Sequence, residues 1–225
     1  MKKLICMILS IATILSMGCM LGGCNTNAKK IIGTWRGEVD ITQMLNEGFT
    51  QGLGKDAQAA APYFNLDNYK MVCVITFHED GTYTKSIDQD SLETMLGKLR
   101  NDITQGLRNY FRDTFKKQGL NGSVDDLLLK TIGMNLEAMV SIRLMPGLQE
   151  ITKSVQDEEG RYVVQDNMIF YSKDKQTEPD GKNYDTFRMY KNTLILEACF
   201  CQVEPKHKEY NDQMYPMALK KQESS

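Results

Sequence analysis

The residue types that most often carry chemistry are sparse in this chain and are not grouped. Its two histidines, His78 and His207, have no cysteine or second histidine at the spacing of a zinc site. Residues 88–90, Asp-Gln-Asp, begin as a calcium loop does, but the glycine at the sixth position and the glutamate at the twelfth are absent. The sequence contains neither a phosphate-binding glycine loop nor a Gly-x-Ser-x-Gly element. It therefore predicts a protein that is not an enzyme and that holds no metal or cofactor.

The first cysteines point to covalent modification instead. Residues 1–23 begin with two lysines, continue with an apolar run over residues 4–15 and end in a glycine-containing stretch, which is the layout of a secretory signal. The tetrapeptide 21–24, Leu-Gly-Gly-Cys, resembles the lipobox of bacterial lipoproteins. The resemblance implies diacylglycerol transfer to the Cys24 thiol, cleavage directly before it and a lipid-anchored chain on the extracytoplasmic face of the cell membrane.

The alternative is an uncleaved transmembrane helix. Residues 4–21 number 18, which is at the lower end of the ~17–25 residues that a span requires. Cys19 is a second candidate for lipidation, but Met17 fits the small-residue position less well than Gly22. Cys24 is the stronger candidate, and in either case the body is delivered across a membrane.

Three cysteines remain after the signal, namely Cys73, Cys199 and Cys201. Cys199 and Cys201 lie two apart on one strand face, a geometry that does not readily close into a disulfide. A bridge would therefore join Cys73 to one of them. The other interpretation is that all three are small buried apolar residues.

Composition sets the class of the remaining chain. With 225 residues, 41% of them hydrophobic and 25% charged, the chain is long enough for one medium domain, and disordered or multi-span membrane classes fit poorly. The net charge of −2 becomes −4 once Lys2 and Lys3 leave with the signal. An acidic body disfavours nucleic acid as a partner and should be held off a negatively charged membrane.

Hydrophobic periodicity predicts strands, then helices, then strands. Residues 31–41 alternate apolar and polar side chains as a half-buried strand does, and Asp80-Gly81 supplies a tight hairpin turn. A short helix is expected from residue 42, and a long amphipathic helix over residues 91–118 with a capping-box-like start at Asp90 and Glu93. A second long helix is expected from Ser123 to the Met-Pro-Gly at 145–147. The predicted strands cover residues 31–41, 69–78, 82–87, 161–165, 168–172, 184–190 and 193–201.

Gly33-Thr34-Trp35 on the first strand, followed by meandering antiparallel strands, resembles the Gly-x-Trp start of lipocalin-like barrels. The resemblance covers residues 31–88 and 160–201. It implies that Trp35 plugs one end of a barrel and that Arg188 on a late strand stacks over it as a cation–π pair.

These observations predict an α+β fold: an antiparallel lipocalin-like β-barrel or half-barrel of about seven strands with a helical hairpin insert. The domain spans residues 31–201 with the insert at 90–147. A polar tether over residues 24–30 precedes it, and a polar tail over 202–225, expected to fray, follows it.

Two functions are compatible with this plan. In the first, the cup binds a small apolar or amphipathic ligand, with Trp35 and Tyr190 among its walls and the helices as a lid. In the second, apolar side chains of the helical insert dock a protein of the cell envelope, and the barrel is a rigid pedestal.

Overall fold

The computed structural model describes residues 26–52, 58–143, 157–200 and 214–223. The predicted signal over residues 1–23, the lipidation of Cys24 and the state of Cys201 lie outside the described residues. None of the described helices is long and apolar enough to cross a membrane.

Eight strands form a closed barrel in which each strand pairs antiparallel with the next one along the chain, and β8 pairs with β1. The α+β barrel is confirmed. The alternation expected for the first strand is also confirmed, since Trp35 and Val39 are buried in the interior while Glu38 and Asp40 are exposed. The strands are β1 Gly33–Asp40, β2 Lys70–Phe77, β3 Thr82–Ile87, β4 Glu158–Gln165, β5 Met168–Ser172, β6 Tyr184–Tyr190, β7 Thr193–Phe200 and β8 Met217–Lys221.

The expected count of seven strands is wrong, because the eighth comes from the segment predicted to be a polar tail. Met217 and Leu219 are buried at 3% and 0% exposure, while Ala218 and Lys220 between and after them are exposed. Two buried side chains in five residues are enough to hold β8 in the sheet, because β8 also pairs with a strand on each side. The sequence signal was short, and lysines and glutamines dominate around it.

The two ends of the barrel differ in their connections. At one end, which we call the closed end, the strands are joined by the short turns 78–81, 166–167 and 191–192. The opposite end, which we call the mouth, receives all the long connections: 41–69, 88–157, 173–183 and 201–216.

Five α-helices and one 3-10 helix accompany the barrel in the described ranges. Residues 26–31, most of which belong to the expected tether, form a helix. The long helix is confirmed, but it begins at Gln89, since the Asp88 carboxylate accepts a hydrogen bond from the Ser91 amide at 2.9 Å and caps it. The helices are α1 Thr26–Ile31, α2 Thr42–Gly52, the 3-10 helix Gln58–Tyr63, α3 Gln89–Lys117, α4 Val124–Ile132 and α5 Leu136–Arg143.

The described part of the insert has three helices instead of the predicted hairpin of two. Gly133 adopts a left-handed conformation (φ 75°) that ends α4. The Asn135 side-chain oxygen then accepts a hydrogen bond of 2.8 Å from the Ala138 amide, at the start of α5. Glycine followed two residues later by asparagine was the available signal for this break.

Helix α3 is shared between two hydrophobic clusters. Leu92, Met95, Leu99 and Ile103 from its first half join the cluster that fills the barrel. Farther along, Phe111 and Phe115 pack against a separate small cluster formed by Val124, Leu128, Leu136 and Val140. At about 1.5 Å per residue, this 29-residue helix is roughly 40 Å long, long enough to serve both.

Close strand packing depends on a glycine at position 160. A Cβ atom there would collide with the carbonyl oxygen of Ser172 on the neighbouring strand β5. Because the obstacle is backbone, it cannot swing away as a flexible side chain would.

We therefore expect Gly160→Ala to destabilise the protein by about 1–3 kcal/mol. Gly97→Ala is the matched control, since Gly97 lies in α3 with nothing within 4 Å of a built Cβ. That substitution should be neutral or stabilising by up to ~1 kcal/mol. Urea unfolding followed by circular dichroism measures both, and equal midpoints for the two variants would contradict the argument.

Candidate ligand site at the barrel mouth

Trp35 closes the barrel at its closed end. Its side chain is fully buried, and the indole Nε1 donates a hydrogen bond of 2.6 Å to the carbonyl of Ile31 at the end of α1. This bond satisfies the one polar atom of the ring and fixes α1 against the barrel. The structure therefore places Trp35 in the packed core near the closed end.

The cation over Trp35 is not the one predicted. Lys221 at the end of β8 places its Nζ 5.3 Å from the centre of the indole ring. Arg188 points outward instead, with 69% of its side chain exposed, and pairs with Glu197 at 2.9 Å. The stacking assigned to Arg188 is therefore wrong, because that residue alternates with the inward-facing Phe187 and Met189.

Tyr190 does not share a cavity wall with Trp35. It lies beside the β6–β7 turn with 65% of its surface exposed, whereas Trp35 has none. The structure does not bring the two predicted ligand residues together.

Apolar side chains fill the closed half of the barrel. These residues are each exposed by 2% or less and come from six strands. They are Trp35, Ile75, Phe77, Ile169, Phe187, Leu194, Leu196 and Leu219. This part of the interior is therefore a packed apolar core.

The mouth half contains a buried carboxylate held by tyrosines. Asp185 is only 2% exposed, and its two carboxylate oxygens accept hydrogen bonds of 3.0 Å from the hydroxyls of Tyr171 and Tyr215. Asp185 and Tyr171 project inward because they are in phase with the buried Phe187 and Ile169 on their strands. We call these three residues, together with Lys85, Glu158 and Tyr83, the mouth cluster; Tyr83 starts nearer the closed end, beside Phe77, and its hydroxyl reaches Glu158.

The other carboxylate of the mouth cluster is Glu158, at the start of β4. It accepts a hydrogen bond of 2.8 Å from the Tyr83 hydroxyl and forms a 2.7 Å ion pair with Lys173. Two acidic side chains in the barrel are thus bound to tyrosine hydroxyls, and one of them is neutralised by a lysine.

Lys85 is the cation of the mouth cluster. It pairs across strands with the buried Ile75 and with Glu158, so its side chain faces the interior. It acts electrostatically on Asp185 and Glu158. Among the residues that the structure describes, however, Lys85 has no hydrogen bond or ion pair of its own.

The electrostatics of the cluster follow from burial. Burial raises the pKa of Asp185, and the nearby Lys85 and the two tyrosine hydroxyls only partly oppose it. Burial and the adjacent Asp185 together raise the pKa of Tyr171 well above its ordinary value. Burial also acts to raise the pKa of Glu158, but the hydrogen bonds from Lys173 and Tyr83 outweigh it and hold that pKa below its usual value.

The predicted pairing of Cys73 with Cys199 or Cys201 is wrong. Cys73 is a free thiol, 2% exposed, on the inner face of β2. Burial raises its pKa, which keeps the thiol protonated and unreactive. Cys199 is in a disulfide, and since Cys73 is free, its partner lies outside the described residues.

A cavity of 420 Å³ lies outside the barrel, between strands β1 and β2 and the start of α3. Its basic side chains are already paired: Arg36 with Asp88 at 2.8 Å, Lys98 with Asp102 at 2.7 Å and Lys70 with Glu38 at 3.2 Å. This groove therefore offers an anion no unpaired lysine or arginine among its lining residues.

Sequence reasoning missed the mouth cluster entirely. A signal was present on β6, where Asp185 is in phase with the apolar Phe187 and Met189, so that a carboxylate stands on the inward face. A second was the alternation of Tyr83 with Lys85 on β3. The sequence around Tyr215 carried no signal for the cluster, since this residue precedes β8, which the sequence did not predict.

No family model, no curated protein and no solved structure matches this chain. Within the described ranges, no group of three or more His, Cys, Asp or Glu side chains is placed to hold a metal ion.

Asp185→Asn should change how stability depends on pH. Because burial raises the folded-state pKa of Asp185 above its ordinary 3.8, the folded chain keeps this proton after the unfolded chain has lost it. The stability from this proton is fully present below pH 3.8 and is lost as the pH rises through the folded-state pKa. Each tenfold difference between the acid dissociation constants of the folded and unfolded chains corresponds to about 1.4 kcal/mol.

The asparagine variant lacks this loss, so its unfolding free energy relative to wild type should increase with pH. Urea unfolding measured at intervals from acid to neutral pH follows this difference. A difference that stays constant over that range would contradict the assignment.

Proposed function

We propose that this is an exported, lipid-anchored protein with a lipocalin-like barrel that binds a small amphipathic ligand at the mouth, without catalysis. Lys85 is the observation that carries the proposal: a cation that faces the barrel interior, lies within electrostatic reach of Asp185 and Glu158, and has no ion-pair partner among the described residues. Charged side chains in such positions are ordinarily paired. An anionic head group supplies the missing partner.

Apolar surface for the rest of the ligand lies next to the mouth cluster. Met71, Ile87 and Met214 are only partly buried, and they pack against the barrel core at the mouth end of their strands or beside it. The head group would therefore contact Lys85 and the tyrosine hydroxyls, while the apolar part covers these side chains. Most small-molecule sites combine an apolar lining with a few polar groups in this way.

Binding of a dansyl-labelled fatty acid tests the ligand class. Lys85→Met removes the charge while keeping most of the side-chain volume, and it should weaken binding roughly tenfold or more, since hydrogen bonds to charged groups contribute about 1.5–3 kcal/mol. Lys130→Met is the control, because Lys130 is exposed on α4, away from the cluster. Energy transfer from Trp35 to the dansyl group gives the dissociation constants, and equal constants for the two variants would overturn this site.

Membrane anchoring rests on the lipobox and has its own test. Cys24→Ala should abolish incorporation of a metabolically supplied fatty-acid label, because the acylated thiol is lost. Cys19→Ala should retain the label. Label persisting on the Cys24 variant would refute the proposed anchor.

One observation favours the second function, docking of an envelope protein by the helical insert. Large apolar side chains on or beside α4 and α5 are exposed, namely Leu120, Leu129, Ile132 and Ile142, by 44–61%. A photo-crosslinking residue at position 129 should then give a discrete adduct in intact cells, whereas one at position 175, in the loop after β5, should not.

A further inference from the structure

The way that α1 joins the barrel fixes which end of the molecule meets the membrane. Only Asn25 lies between Cys24 and α1, so the lipid anchor is at most about 7 Å from the first residue of that helix. Helix α1 is itself held to the closed end. Asn27 donates to the carbonyl of Asp166 at 3.1 Å, and the Trp35 indole donates to Ile31 at the other end of the helix. The lipid on Cys24 would therefore lie close to the closed end of the barrel.

The charges of the closed end fit an anionic surface on one side. Five exposed lysines lie in α1, in the β6–β7 turn and at the end of β8: Lys29, Lys30, Lys191, Lys220 and Lys221. None of them forms an ion pair with another described residue. The chain as a whole is acidic, with a net charge of −2, so this concentration of positive charge is local.

Two acidic residues of the closed end lie away from the lysines. Glu79 and Asp80 occupy the β2–β3 turn, which lies across the barrel from the β6–β7 turn because four strands separate them in each direction around the ring. Two others lie beside the lysines, since the carbonyl of Asp166 is hydrogen-bonded to α1 and Glu223 follows β8. Five lysines against these two carboxylates leave a positive excess over α1, the β6–β7 turn and β8, which we call the lysine sector.

We propose that the lysine sector lies against the anionic head groups of the membrane and that the mouth of the barrel points away from the bilayer. This inference rests on the anchoring at Cys24 proposed above, but it does not depend on the ligand. The short link supplies proximity, and each lysine near an anionic surface adds about a fivefold preference for contact. It also revises the expectation that an acidic body is held off the membrane, since the charge is not evenly distributed.

Lysine labelling of the acylated full-length protein in the outer leaflet of vesicles tests the orientation. A water-soluble acetylating reagent and mass spectrometry give the labelled fraction of each lysine. On vesicles containing phosphatidylglycerol, labelling of the lysine sector should fall to about a third or less of its value on pure phosphatidylcholine. Lys130 on the helical insert should not change, and high salt should restore the labelling.

A pair of charge reversals gives the matched control. Lys191→Glu combined with Lys220→Glu should remove the salt-sensitive protection of Lys29, Lys30 and Lys221. Lys116→Glu combined with Lys117→Glu, which changes the net charge equally at the far end of α3, should leave it intact.

The outcomes separate this inference from the proposed anchoring. Protein that does not float with vesicles of either composition refutes the anchor, and the orientation with it. Protein that floats but shows equal labelling of the lysine sector and Lys130 on anionic vesicles refutes the orientation alone. Protection of Lys130 in place of the lysine sector would refute the proposed orientation and show that the helical insert faces the membrane.

Discussion

Closure of the sheet by the pairing of β8 with β1 is the constraint on which the rest of the structure depends. Without it, β1 and β7 would each present an unpaired edge, and Trp35 would lose the strand that carries Lys221 over its ring. The same strand places Tyr215, immediately before it, beside Asp185 through the pairing of β8 with β7 and of β7 with β6. The surroundings of Trp35 and of Asp185 therefore both depend on one strand of five residues.

The interior changes character along the barrel axis. Near the closed end it is apolar, and its one indole nitrogen bonds to a backbone carbonyl. Toward the mouth, carboxylates, hydroxyls and a lysine stand among the apolar side chains, and the buried carboxylates are tolerated because tyrosine hydroxyls donate hydrogen bonds to them. Asp185 is stable in that environment since both of its oxygens are bonded. The interior is therefore polar on the side that receives the long connections and apolar on the side of the short turns.

The sequence predicted what alternation and periodicity encode directly. The first strands, the Asp80-Gly81 hairpin and the long helix α3 are each supported by several residues in phase, and they were confirmed. The mouth cluster could not be predicted in the same way, because Tyr171, Asp185 and Tyr215 come from separate segments that meet only when β5 to β8 pair. The prediction for Arg188 is wrong because it rests on the resemblance to the family and not on the alternation of β6, which places Arg188 on the outer face. β8 was missed because two inward side chains in a polar segment resemble a frayed end.

Helix α3 belongs to two cores of unequal size, and this division has a consequence for how the molecule opens. Its first half is held by the barrel cluster, whereas α4 and α5 depend on four buried side chains. Small cores of this kind open at a lower free energy than the global transition. Backbone amides in α4 and α5 would then exchange with solvent through a partial opening that leaves the strands paired. Among the described residues, α3 is the helix that contributes side chains to both clusters.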